Sequence, residues 1–131
     1  MSLDDIVSAN FEVISGIFKK FVEERPLVGA ISLVSDDGVV IHSYPKDESG
    51  ELDLKLGGMV SAVSAAAPTI VSELDCNRLF SMVVLADRGG ILFYQLDDKI
   101  FLAVKLAKPG KIGQLFGDCQ ALIKQLKSLP S

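Results

Sequence analysis

The stretch LFSMVVLADRGGILFYQLDDKIFLAVKLA, residues 79–107, holds three apolar runs separated by two turn signals. Leu79 to Ala86, Ile91 to Leu96 and Ile100 to Ala107 are rich in β-branched and aromatic residues, as strands are. The connections, Asp87-Arg88-Gly89-Gly90 and Asp97-Asp98, are too short for anything but antiparallel neighbours, so the three runs form a meander. The first run is apolar on both sides. Phe80, Met82 and Val84 alternate with Leu79, Val83 and Leu85, and a two-faced apolar strand needs cover above and below.

Toward the N-terminus, Ala30 to Ser35 and Val39 to Tyr44 flank Asp36-Asp37-Gly38, a tight hairpin turn. Two more strands therefore precede the meander. Before them, Leu3, Ile6, Val7, Phe11, Ile14, Ile17, Phe18 and Phe21 recur at helical spacing, which predicts one amphipathic helix over residues 3–24. Ser2-x-x-Asp5 is a capping box at its start, and Pro26 ends it. A last helix, about Lys111 to Lys127, sets Ile112, Leu115, Phe116, Cys119, Leu122, Ile123 and Leu126 on one face. Gly113-x-x-x-Gly117 within it predicts a close approach to the sheet. The order is α-β-β-α-β-β-β-α. It implies a three-layer α/β/α sandwich around a five-stranded, largely antiparallel sheet, in a single domain over residues 1–131.

The helix between hairpin and meander, about Glu51 to Leu74, is the unusual element. Its inner stripe reads Leu52, Leu56, Met59, Val60, Val63, Ala67, Ile70 and Leu74, and Pro68 is expected to kink or split it. From Leu56 to Ser72, LGGMVSAVSAAAPTIVS carries no charge. The face opposite the stripe shows Leu54, Gly58, Ser61, Ala62, Ala65 and Thr69, where a surface helix shows charges. Small uncharged residues let a second backbone come close and are cheaply desolvated. A 131-residue chain has little with which to cover that face. A second copy, helix against helix across a two-fold axis, covers it. The same contact accounts for a mean hydropathy of +0.38, high for a chain that is 23% charged.

Net charge is −4 and no basic stripe exists, which argues against nucleic acid as a partner. Two cysteines far apart, Cys76 and Cys119, are the usage of a reducing compartment, with both expected as buried thiols. The N-terminus has neither basic nor apolar signal region, and the uncharged run 56–72 is short and rich in Ser and Gly for a bilayer span. A cytoplasmic protein without membrane insertion is expected.

Catalytic signatures are missing from the sequence. The single His42 excludes multi-histidine metal sites, and it reads as a surface or interface strand residue. Neither a G-x-S-x-G elbow nor a phosphate loop nor a dinucleotide fingerprint occurs. Asp36-Asp37 and Asp97-Asp98 sit in turns, where aspartate bonds its own backbone. The reading is therefore a non-enzymatic protein-binding module with no catalytic residue, cofactor or metal.

In combination these pieces resemble the roadblock family, which includes dynein roadblock light chains and prokaryotic regulators of Ras-like GTPases. The matching residues are VGAISLVSDDGVVI (28–41), the Ala/Ser-rich helix, the hairpin ending in Phe101-Leu102-Ala103-Val104, and Lys111-Ile112-Gly113-x-Leu115. The likeness spans about residues 27–126. It implies an α/β/α sandwich that dimerises through the Ala/Ser-rich helix and the adjoining third strand into one continuous sheet. Its interface would contain Leu54, Gly58, Ser61, Ala62, Ala65 and Thr69 with Phe80, Met82 and Val84. It also implies a small GTPase as partner, or a role as a structural adaptor within a larger complex. Arg25, Arg78 and Arg88 are the only arginines, and none stands as a catalytic finger.

Overall fold

A computed structural model describes residues 2–76 and 80–130. Its elements are α1 (Leu3–Ala9), α2 (Phe11–Glu23), β1 (Val28–Ser35), β2 (Val40–Tyr44), α3 (Glu51–Glu73), β3 (Ser81–Ala86), β4 (Gly89–Gln95), β5 (Ile100–Leu106) and α4 (Gly113–Lys127). The strands form one fully antiparallel sheet in the order β2-β1-β5-β4-β3. Hairpin and meander meet where β1 pairs with β5, from Val28 opposite Leu106 to Ser35 opposite Ile100. Those two strands are central, and both are buried almost end to end. This is the roadblock-like α/β arrangement that the sequence predicts.

Each face of the sheet has its own core. On one, α1, α2 and α4 contribute Leu3, Val7, Ile14, Phe18, Phe21, Leu115, Cys119, Leu122 and Leu126 against Ile31, Leu33, Leu92, Tyr94, Leu102 and Val104. On the other, α3 alone contributes Leu56, Val60 and Val63 against Val34, Phe93, Phe101 and Ala103. Helix α3 lies over β1, β2 and β5. Two glycines let it sit so low. Gly38, at φ +91° in the β1–β2 turn, is pressed against Gly57, and a Cβ on Gly57 would overlap the Gly38 carbonyl oxygen.

Several expectations are corrected. The predicted N-terminal helix over 3–24 is two helices broken at Asn10, a polar residue placed where the apolar stripe calls for a hydrophobic one. The Asn10 amide donates to the Ile6 carbonyl at 2.8 Å and to the Pro130 carbonyl, so its side chain competes with the helix backbone and ties the two ends of the chain together. Phe11, just past the break, turns outward and is 56% exposed. Pro68 neither splits α3 nor ends it. One lost hydrogen bond on the exposed side of a 23-residue helix is outweighed by the buried contacts of Val63 and Ala67 around it. Ser2 caps α1 as expected, accepting from the Asp5 N–H, although the Asp5 carboxylate accepts from the Ser2 hydroxyl rather than from its backbone. Gly113 and Gly117 are exposed and approach nothing, so they mark no contact with the sheet.

The two cysteines differ. Cys76 is exposed, against expectation, because it lies past the end of α3, while Cys119 is fully buried on α4. Burial pushes the Cys119 thiol up to about 11. That leaves far less thiolate at pH 8 than an ordinary cysteine shows. Ellman's reagent at pH 8 is therefore expected to titrate Cys76 quickly and Cys119 only after denaturation. Equal rates for both thiols in the native protein would refute the buried assignment. Among the described residues the hydroxyl of Tyr94, beside it, has no hydrogen-bond partner, and burial raises it well above the usual phenol range.

Candidate dimer interface

The site is built from what the sheet leaves uncovered. One helix on the α3 face shields only half of it. Toward the β3 edge, Met82 and Ile91 are partly buried and Val84 is exposed. A second uncovered apolar stretch lies on α3 itself. There Leu54, at 80% exposure, stands with Gly58, Ser61, Ala62, Ala65 and Thr69, all of them at least partly exposed. From Gly58 onward the face is uncharged because nothing ionisable lies between Lys55 and Glu73.

Eight of the nine predicted interface residues therefore share one side of the sheet: the six on α3, with Met82 and Val84. Phe80 does not. It precedes β3 rather than continuing its alternation, and its ring packs edge-on to Tyr94 on the opposite face, 5.7 Å between centroids. Leu79 and Arg78 lie outside the described residues. Sequence reasoning also missed three members of the open face. Met59, Ile70 and Leu74, expected to point inward, are exposed. An uncharged helix gives no polar side from which to fix its rotation. Their spacing from Leu56, Val60 and Val63 was the available signal.

β3 is the edge of the sheet, so its outer backbone groups have no strand to bond. Its pairing with β4 is regular from Ser81 opposite Tyr94 to Ala86 opposite Gly89, without a bulge. It carries no charged residue and no proline. An apolar edge strand and an uncovered apolar helix face are surfaces suited to another protein chain.

Elsewhere the polar groups read as structural. His42 is buried, its ring stacked 4.4 Å from Phe11 and edge-on to Phe18, with Nε2 3.2 Å from the Phe11 carbonyl oxygen. It is a wedge under α2, not the surface residue expected. Arg25 joins α2 to α4 through Asp118 at 2.9 Å and lies over the Phe21 ring. At the start of α3, the Asp47 carboxylate accepts from the Asp53 N–H at 2.9 Å, a bond that holds Asp47 below the usual carboxylate range. Burial, and then the Asp47 charge, raise Asp53. Among the described residues no group of three or more His, Cys, Asp or Glu is placed to hold a metal.

The Roadblock/LC7 domain profile matches residues 17–106, which run from α2 to the end of β5. The chain belongs to the Roadblock/LC7 domain family. Solved Roadblock/LC7 folds superpose on it closely. A Roadblock/LC7 domain from Streptomyces avermitilis is 18% identical, with a TM-score of 0.73 over 85% of this chain and 92% of that one. The gliding protein MglB from Thermus thermophilus is 14% identical, with a TM-score of 0.74 over 90% and 88%. MglB in a tetrameric arrangement is 17% identical, with a TM-score of 0.75 over the same shares. At these identities the likeness is one of fold. No curated protein matches the sequence. The Roadblock/LC7 profile stops short of α1 and α4, which flank the matched segment.

Proposed function

We propose that this Roadblock/LC7 domain is a non-catalytic module that forms a homodimer and, as a dimer, binds and regulates a Ras-like small GTPase. The observation that carries the first half is the uncovered apolar surface of α3 and β3. A second α3 laid on the Met82–Val84 half of the sheet gives that half the cover it lacks, and the two-fold does the same for the copy. By length and composition α3 also suits a bilayer, being the one such helix among the described residues. Its inner face, Leu56, Val60, Val63 and Ala67, is occupied by the sheet, however, so only one side is available. One-sided apolar exposure fits a protein partner better than lipid. Free thiols at Cys76 and Cys119 support a reducing, cytoplasmic setting.

The GTPase half rests on membership of a family of adaptors and regulators. Regulation needs only a difference in affinity between nucleotide states, and a tenfold preference is about 1.4 kcal/mol. Affinity capture from lysate loaded in parallel with GDP or a non-hydrolysable GTP analogue is expected to recover a small GTPase in one state only. The same partners in both states, with no GTPase among them, would make the protein a structural adaptor instead.

A further inference from the structure

We propose that the groove beside β2, between α2 and the start of α3, is a docking site for an arginine side chain presented by a partner protein. The site is independent of the homodimer, because β2 and β3 are opposite edges of the sheet.

The groove has a volume of about 490 Å³. Helix α2 contributes Phe11 to it, β2 contributes His42 and Ser43, the next loop contributes Lys46 and Asp47, and α3 contributes Asp53. Opposed residues on neighbouring strands share a face. His42 pairs with Leu33 of the α2-side core and Ser43 with its neighbour Ser32, so the groove wraps the rim of the sheet from one face to the other.

Two acceptors in the groove lack donors. Among the described residues, Oδ1 of Asp53 is buried and has no hydrogen-bond partner. An unpaired buried acceptor is costly, the more so on a carboxylate. Asp47 offers no relief, since its own carboxylate accepts from the Asp53 N–H and the Ser49 hydroxyl and its charge repels that of Asp53. The second acceptor is His42, 7% exposed. Its Nε2–H is directed to the Phe11 carbonyl, which makes Nδ1 of the neutral ring an acceptor, and Nδ1 has no partner among the described residues. Lys46 answers neither carboxylate: the ion pairs among the described residues are those of Arg25 with Glu24 and Asp118.

A guanidinium supplies what is missing. It brings five N–H donors in one plane, keeps its charge, sheds water more readily than an ammonium and lies flat on aromatic rings. Phe11, stacked on His42 and exposed, offers such a ring. The chain holds an arginine in the same way elsewhere, with Arg25 4.2 Å from the Phe21 ring centroid and 2.9 Å from the Asp118 carboxylate. The rim itself favours an arginine borne on a chain over a free cation. The outer backbone groups of β2 meet no strand and can bond an incoming backbone. Five residues with a register shift give too short a ladder to hold a strand alone, so the side chain carries the recognition.

Three probes titrated into the isotope-labelled protein test the site by amide NMR: a capped Gly-Gly-Arg-Gly-Gly peptide, its citrulline counterpart, and acetylarginine amide. The arginine peptide is expected to shift the signals of His42, Ser43 and Asp53 with a dissociation constant of about 1–10 mM. The citrulline peptide should bind at least about tenfold more weakly and acetylarginine amide about threefold more weakly. Asp53→Asn is expected to cost about tenfold and Phe11→Ala about fivefold, while Lys46→Ala, which removes a like charge, should tighten binding about twofold. Absence of shifts with any probe overturns the site. Equal binding of citrulline overturns the demand for a cation, and full affinity in a folded Asp53→Asn protein removes the carboxylate anchor. Acetylarginine amide binding as tightly as the peptide overturns the partner chain as the source and leaves a site for a small free guanidine. None of these outcomes bears on the oligomeric state.

Discussion

Gly57→Ala is expected to lower the unfolding free energy by about 2–4 kcal/mol, although alanine is the better helix former by about 1 kcal/mol. The added methyl meets the backbone carbonyl of Gly38, which cannot swing aside as a flexible side chain would. Either α3 lifts from the β1–β2 turn, opening the core of Leu56, Val60 and Phe101, or the turn deforms at a residue already held at φ +91°. Gly16→Ala is the matched control. Gly16 lies within α2 with nothing inside 4 Å of its missing Cβ, so the same change there is expected to stabilise by about 0.5–1 kcal/mol. Urea unfolding of both variants at one protein concentration reads the two signs. A neutral or stabilising Gly57→Ala would mean that α3 does not sit on the turn as described.

Ala65→Arg is expected to separate the dimer while leaving the fold intact. Ala65 is exposed in the single chain, so a long side chain there meets water. In the proposed dimer it meets a second uncharged helix, and an unpaired charge buried in such a contact costs several kcal/mol. The dissociation constant should rise roughly a hundredfold or more. Sedimentation velocity over a range of concentrations, with circular dichroism to check the fold, reads the effect. An unchanged dimer would show that α3 does not make the contact.

Most of the fold was legible because its signals are local. Asp36-Asp37-Gly38, Asp87 to Gly90 and Asp97-Asp98 fix the hairpins, and strand ends fall within two residues of their predicted places wherever they are described. The misreadings occur where a signal is silent or competes with another. The apolar stripe of α1 and α2 runs on through Asn10, whose amide bonds break the helix that the periodicity supports. Met59, Ile70 and Leu74 face outward against expectation because a helix without charges does not announce which way it faces. Phe80 does not follow the alternation of β3, which begins one residue later. The groove beside β2 was not legible at all. It unites Phe11, His42 and Asp53 from three separate elements, and only the packing of α2 and α3 on the sheet brings them together.

The sheet's two rims have opposite consequences for how far association can run. β3 is regularly paired and carries neither charge nor proline. β2, at the far side, has five residues, slips register through a bulge where Leu33 and Val34 face it, and gives way to Pro45 and Lys46. Short, bulged rims ending in proline and lysine discourage strand addition. In the dimer proposed above, two copies joined at β3 would leave a merged sheet ending in a β2 on either side, and neither end would invite a third molecule. In the proposed dimer, growth by strand addition is self-limiting: each chain has one open rim and one blunt rim, and the pair would present only blunt ones to its surroundings. A chain with two adhesive rims would instead extend into a filament.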